Sequence, residues 1–83
     1  MEDEKHLDDF IREVRAELKR ARSKFPAPRE PYRCLAALTE EVGELNQAVL
    51  QYEEEPHKGV TLNDIRMEAV QVATMAARII LDC

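Results

Sequence analysis

Glu40, Glu41 and Glu44 place three carboxylates within five residues of a stretch rich in Ala and Leu. At about 100° per residue, Glu40 and Glu44 stand one helical turn apart and Glu41 lies three residues before Glu44, so the three share roughly a 100° arc. Left alone they repel one another, and one of them tends to keep its proton. A divalent cation converts the same arrangement into a site. Mg²⁺ takes oxygen ligands at roughly 2.1 Å and usually retains some water, which leaves room for the phosphate oxygens of a substrate. Downstream, Asp64, Glu68 and Gln71 follow one another at steps of four and three. A short connection between the two stretches predicts antiparallel packing, which sets Glu68 opposite the glutamates. A Glu-Glu-x-x-Glu string by itself is most often a solvated helix face. Here Leu38, Val42 and Leu45 flank it, and Glu68 sits between Met67 and Ala69-Val70, where a free carboxylate has little reason to be.

A metal-bound phosphate chain also asks for cations. Arg33 lies seven residues before Glu40, on nearly the same side of its helix, and Arg78 stands seven after Gln71. Lys58, in the intervening loop, is a third candidate for phosphate contact. Phe10, Phe25, Tyr32 and Tyr52 are the only aromatic residues, and each reads first as core or interface filler. His6 and His57 stand isolated, with no second metal ligand beside them.

Three helices must position these groups, over about residues 3–24, 31–53 and 62–81. The first carries Leu7, Phe10, Ile11, Val14, Leu18 and Ala21 at helical steps, with acidic residues at its start and basic residues at its end, as the helix dipole favours. Pro26, Pro28 and Pro31 break the chain, and Pro31 suits the first position of the second helix. Leu35, Leu38, Val42, Leu45, Val49 and Tyr52 give that helix its apolar face; Gly43 inside it costs up to about 1 kcal/mol and suggests close packing. Glu55-Pro56-His57-Lys58-Gly59 is the second break. Thr61 then serves as N-cap with Asp64 three residues on, and Val60 and Ile65 are spaced as a hydrophobic staple. The third helix has two apolar stripes, one of Leu62, Ile65, Ala69, Val72, Ala76 and Ile79 and another of Val70, Ala73, Ala77 and Ile80. A three-helix protomer needs one such face, so the second predicts packing against another copy and a bundle completed by oligomerisation.

Composition sets the bounds on this reading. Eighty-three residues make one domain at most, with a small core that favours a partner subunit. Twelve Lys and Arg against 17 Asp and Glu give a net charge of −5, a balance that argues against a nucleic-acid polymer as partner. No apolar run approaches the roughly 20 residues of a membrane span, and the acidic N-terminus is unlike a signal peptide. The expected location is cytoplasmic, without a membrane partner. Cys34 and Cys83 form neither a disulfide framework nor a metal-ligand spacing and are expected to be free thiols.

Leu38-Thr39-Glu40-Glu41-Val42-Gly43-Glu44-Leu45, followed 24 positions after Glu44 by Glu68 in an Ala/Val-rich helix, resembles the MazG-like all-α nucleoside triphosphate pyrophosphohydrolases. That family's pattern is Glu-Glu-x-x-Glu, a spacer, then Glu-x-x-Asp. The resemblance spans about residues 35–80. It implies an all-α bundle of two or four chains, Mg²⁺ held by Glu40, Glu41, Glu44 and Glu68, and hydrolysis of a (deoxy)nucleoside triphosphate to the monophosphate and pyrophosphate. Glu41 or Glu44 is the expected water-activating group. Gln71 departs from the pattern, which has Asp there; its amide oxygen can still reach a metal, and Asp64 offers a substitute carboxylate. Longer members carry a further helix with substrate contacts, a wall that a partner subunit is expected to supply here. Two readings compete with the enzyme: a nucleotide-binding protein of reduced activity on the same scaffold, and a non-enzymatic helical-bundle interaction module.

Overall fold

A computed structural model describes residues 1–83 as three α-helices and one short 3-10 turn, with no strand. Helix α1 spans Glu2–Lys24, α2 spans Pro31–Glu54, and α3 spans Leu62–Leu81; Pro56–Lys58 form the 3-10 turn between α2 and α3. The expected elements are all present, and their ends follow from local chemistry. Glu2, Asp3 and Glu4 occupy the first turn of α1, and Arg22 and Lys24 its last, each charge opposing the adjacent end of the helix dipole. Pro31 begins α2 after an extended Glu30, where its missing N–H costs no helical hydrogen bond. Gly59 closes the 3-10 turn at φ +69°, a left-handed conformation that a side chain would strain. At the start of α3 the Thr61 hydroxyl accepts from the Asp64 N–H at 3.1 Å, and the Asp64 carboxylate accepts from the Thr61 N–H at 2.8 Å. This reciprocal cap is what the Thr61/Asp64 spacing predicts.

Helix α3 is the middle element. It packs against both α2 and α1, whereas the backbones of α1 and α2 stay apart. The line of α3 that its neighbours cover is Val70, Thr74 and Arg78, four residues apart and all buried. The second apolar stripe therefore has a use inside the chain: Ala73 and Ala77 line a groove with Phe10, Ile11, Val14 and Leu18 of α1. A middle helix needs two faces, and the two stripes alone do not demand another copy. What stays uncovered is a strip of Leu62, Ala69, Ala76 and Ile80, with Ile80 83% exposed. Gly43 also departs from expectation, because a methyl group there would meet nothing within 4 Å.

The lower ends of the helices are tied by a polar clamp and a covalent one. The buried Asp82 carboxylate accepts from Arg22 Nη2 and from Arg78 Nε, both at 2.8 Å, so one acid joins the ends of α1 and α3. The Arg22 hydrogen bond foremost, with that of Arg78, holds the Asp82 carboxyl below its usual range despite burial. Arg78 Nη2 donates to the Phe25 carbonyl, and the Arg29 N–H donates to the Asp82 carbonyl at 2.8 Å, fixing the linker that follows α1. Cys34 and Cys83 form a disulfide, with Cα atoms 6.7 Å apart. This corrects the expectation of two free thiols. Antiparallel packing brings the first turn of α2 beside the end of α3, a proximity invisible in a sequence separation of 49.

Candidate metal centre and cleft

Glu41 and Glu44 project from α2 toward Glu68 on α3, and one carboxylate oxygen from each lies within 4.8 Å of the others. The α2 spacing sets the first two on one side, and the antiparallel return through the 3-10 turn sets Glu68 against them. One oxygen of Glu41 and one of Glu68 are buried with no hydrogen-bond partner. Burial, and then the negative charge of Glu44, pushes the Glu41 carboxyl up to about 7. The Glu68 carboxyl is raised for the same two reasons, burial foremost. Buried acceptors without donors, in a set of three acids, have the chemistry of a divalent-cation site: all-oxygen, anionic, and costly when empty of positive charge.

Beside this cluster lies a cleft of about 720 Å³ between the three helices. Glu41 belongs to both features, lining the cleft as well as the cluster. The remaining wall is rich in cations: Arg20 and Lys24 from α1, Arg29 from the linker, Arg33 from α2 and Arg78 from α3. Two of the guanidiniums lie against aromatic faces, Arg29 at 5.1 Å from the Phe25 ring centre and Arg33 at 5.8 Å from that of Tyr32. Such stacking restrains the guanidinium plane while leaving its N–H groups free to meet an anion. In a chain of net charge −5, this is a local reversal of sign.

Each residue singled out in the sequence has a definite place. Glu40 is exposed on the cleft wall and lies outside the three-carboxylate cluster. Asp64 is committed to the Thr61 cap, which holds its carboxyl below the usual range through the Thr61 N–H and hydroxyl. Gln71 lines the cleft, and its Nε2 donates to Glu17 Oε2 of α1 at 2.7 Å. Arg33 lines the cleft. Arg78 does too, but it is 1% exposed and chiefly clamps Asp82 and Phe25, with its Nη1 left without a partner. Lys58 pairs with Glu55 at 3.2 Å on the 3-10 turn and is not part of the cleft wall. Glu17, Arg20, Lys24 and Arg29 were not among the sequence candidates. For Arg20 and Lys24 the one signal is the basic end of α1, which reads equally well as dipole compensation; Glu17 and Arg29 carry none.

Comparisons with family models, curated proteins and solved structures return no match. No helix is long and apolar enough to cross a membrane.

Proposed function

We propose that this chain is a Mg²⁺-dependent pyrophosphohydrolase that converts a (deoxy)nucleoside triphosphate to the monophosphate and pyrophosphate, in nucleotide-pool housekeeping. The observation that carries this reading is the double membership of Glu41, in an acidic cluster with Glu44 and Glu68 and in the wall of a guanidinium-lined cleft. A polyphosphate matches that pairing. Its oxygens complete a cation's shell on one side and accept hydrogen bonds from Arg20 and Arg33 on the other. The resemblance of the Glu40–Leu45 string and Glu68 to the MazG-like pattern points to the same reaction.

Glu41, Glu44 and Glu68 would hold the Mg²⁺, with Glu40 at its margin. Bound there, the ion supplies charge for the phosphate oxygens and lowers the pKa of water. The chain's own groups do the rest. A glutamate of the cluster, Glu41 or Glu44, takes the proton of the attacking water. The water oxygen bonds to one phosphorus of the α–β bridge, the bridging P–O bond breaks, and the two phosphate products separate. Arg33 and Arg20 grip the phosphate chain in the cleft.

The active form in this reading is a homodimer or homotetramer. Leu62 and Ile80 of α3 and Leu7 and Ile11 of α1 remain exposed, and only five of 83 residues are buried. A second copy laid on these faces supplies the apolar cover that one protomer lacks.

The test is direct. Purified protein with Mg²⁺ and a panel of nucleoside triphosphates should release pyrophosphate, and Glu41→Gln should abolish the release. No release from any nucleotide refutes the enzymatic reading. One observation favours a second reading, nucleotide binding with reduced turnover: the Gln71 amide is taken up by Glu17 rather than joining the carboxylates. Nucleotide binding without pyrophosphate release would establish that alternative.

A further inference from the structure

Gln71 sits one turn beyond Glu68, where a fourth acidic ligand would otherwise be sought. Its amide instead reaches across to α1 and donates to Glu17 Oε2 at 2.7 Å. The other oxygen of Glu17 pairs with Arg20, one turn further along α1. Gln71, Glu17 and Arg20 all line the cleft that Glu41 borders. We propose that Gln71 is a positioning residue: through Glu17 it holds the Arg20 guanidinium on the cleft wall, where Arg20 meets the phosphate oxygens of a triphosphate chain. This rests on the reading of the cleft as a triphosphate site.

The chemistry of the contact explains why an amide belongs there. The Glu17 side chain is 17% exposed, and each of its oxygens meets a donor, Oε2 the Gln71 amide and Oε1 the Arg20 guanidinium. Gln71 provides one donor without adding charge, so the full negative charge of Glu17 is left for Arg20. An acid at position 71 would set two carboxylates against each other and drive one to protonate or swing away. A leucine would leave Glu17 Oε2 without a donor. The Arg20 side chain is 68% exposed and has few restraints of its own, so release of Glu17 frees it to wander among rotamers. Position 71 acts, in this view, on the grip of the cleft and not on the metal.

Inorganic tripolyphosphate, titrated calorimetrically in the presence of Mg²⁺, is the probe. Arg20→Ala and Gln71→Leu should each weaken its binding by about fivefold to tenfold, the loss of one charge-assisted contact. Combined, they should weaken it no more than the worse single change, because they remove the same interaction. In turnover assays Gln71→Leu should raise KM rather than lower kcat. The exchange Glu17→Gln with Gln71→Glu rebuilds a hydrogen bond between the helices but moves the charge away from Arg20. It should restore Tm without restoring tripolyphosphate affinity; recovery of both would reduce Gln71 to a structural contact and overturn the proposal. Gln71→Asp supplies the opposite arm: tighter Mg²⁺ binding or faster turnover would make position 71 a lapsed metal ligand. Fully additive losses for Arg20 and Gln71 would also overturn it. A wild-type protein that binds no tripolyphosphate refutes the triphosphate reading of the cleft itself, whereas binding with additive losses refutes only the role of Gln71.

Discussion

Glu41 and Glu68 meet across the seam of α2 and α3, each with one buried carboxylate oxygen that no donor reaches. Two acids from different helices in that state favour protons or a cation, and the choice between them depends on pH.

Without metal, the protein should lose stability as pH rises. The Glu41 carboxyl lies at about 7 in the folded chain, above the 4.5 of an unperturbed glutamate. The folded state thus holds more protons than the unfolded one between those values. The stabilisation is complete below about 4.5 and lost as pH climbs through about 7. After allowance for solvent screening the loss is about 1–2 kcal/mol, visible as a falling Tm in thermal melts from pH 5 to 8 with chelator present. Glu41→Gln should flatten that fall.

Mg²⁺ should act in the opposite sense. Binding requires ionised carboxylates, so the rise in Tm on adding Mg²⁺ should be larger at pH 8 than at pH 6. Glu68→Gln should weaken Mg²⁺ binding at least tenfold, about 1.4 kcal/mol or more, measured by calorimetry. An unchanged affinity would separate Glu68 from the cation.

Asp82 should be the most sensitive position outside the cleft. Asp82→Ala leaves the Arg78 guanidinium buried and unpaired, a loss of about 3–5 kcal/mol, checked by urea unfolding. Because its carboxyl is held below the usual range, the contribution of Asp82 is present above about pH 4, the ordinary aspartate value, and disappears as the solution is acidified through the lower folded value.

Gly43→Ala should stabilise the protein by about 0.5–1 kcal/mol, since the helix gains propensity and the added methyl group meets no atom within 4 Å. A loss of stability in thermal melts would reveal a close neighbour that the single chain does not contain.

In the proposed homo-oligomer, Ile80→Glu should shift the molecular mass in light scattering toward that of one chain, because it places a charge on the exposed strip of α3. A wild-type protein with the mass of one chain refutes the proposed oligomer, and an oligomer whose mass the substitution leaves unchanged does not use this strip.

The parts of this architecture that arise within one helix were readable in advance. Thr61 with Asp64 marks the start of α3 through a four-residue cap, and Glu41 with Glu44 shares a face through helical spacing alone. Glu68 required one more step, the antiparallel return. What could not be read depends on where α1 lies. Two stripes on α3 resemble the signature of an interface between copies, but they also suit a helix flanked on both sides, and only the docking of α1 distinguishes these. The same docking brings Arg20 and Lys24 to the cleft and turns Gln71 toward Glu17. Cys34 and Cys83 meet for a similar reason, since their proximity is a property of how α2 and α3 pair and not of either helix.

The separation of α1 from α2 has a consequence for any ligand of the cleft. The fold leaves one side of a triangle open, and a polyanion seated between Arg20 of α1 and Arg33 of α2 would close it like a keystone. Occupancy and the docking of α1 would then be linked equilibria: whatever steadies the first helix should tighten the grip on the anion, and the anion should in turn slow the exchange of the amide hydrogens of α1 with solvent.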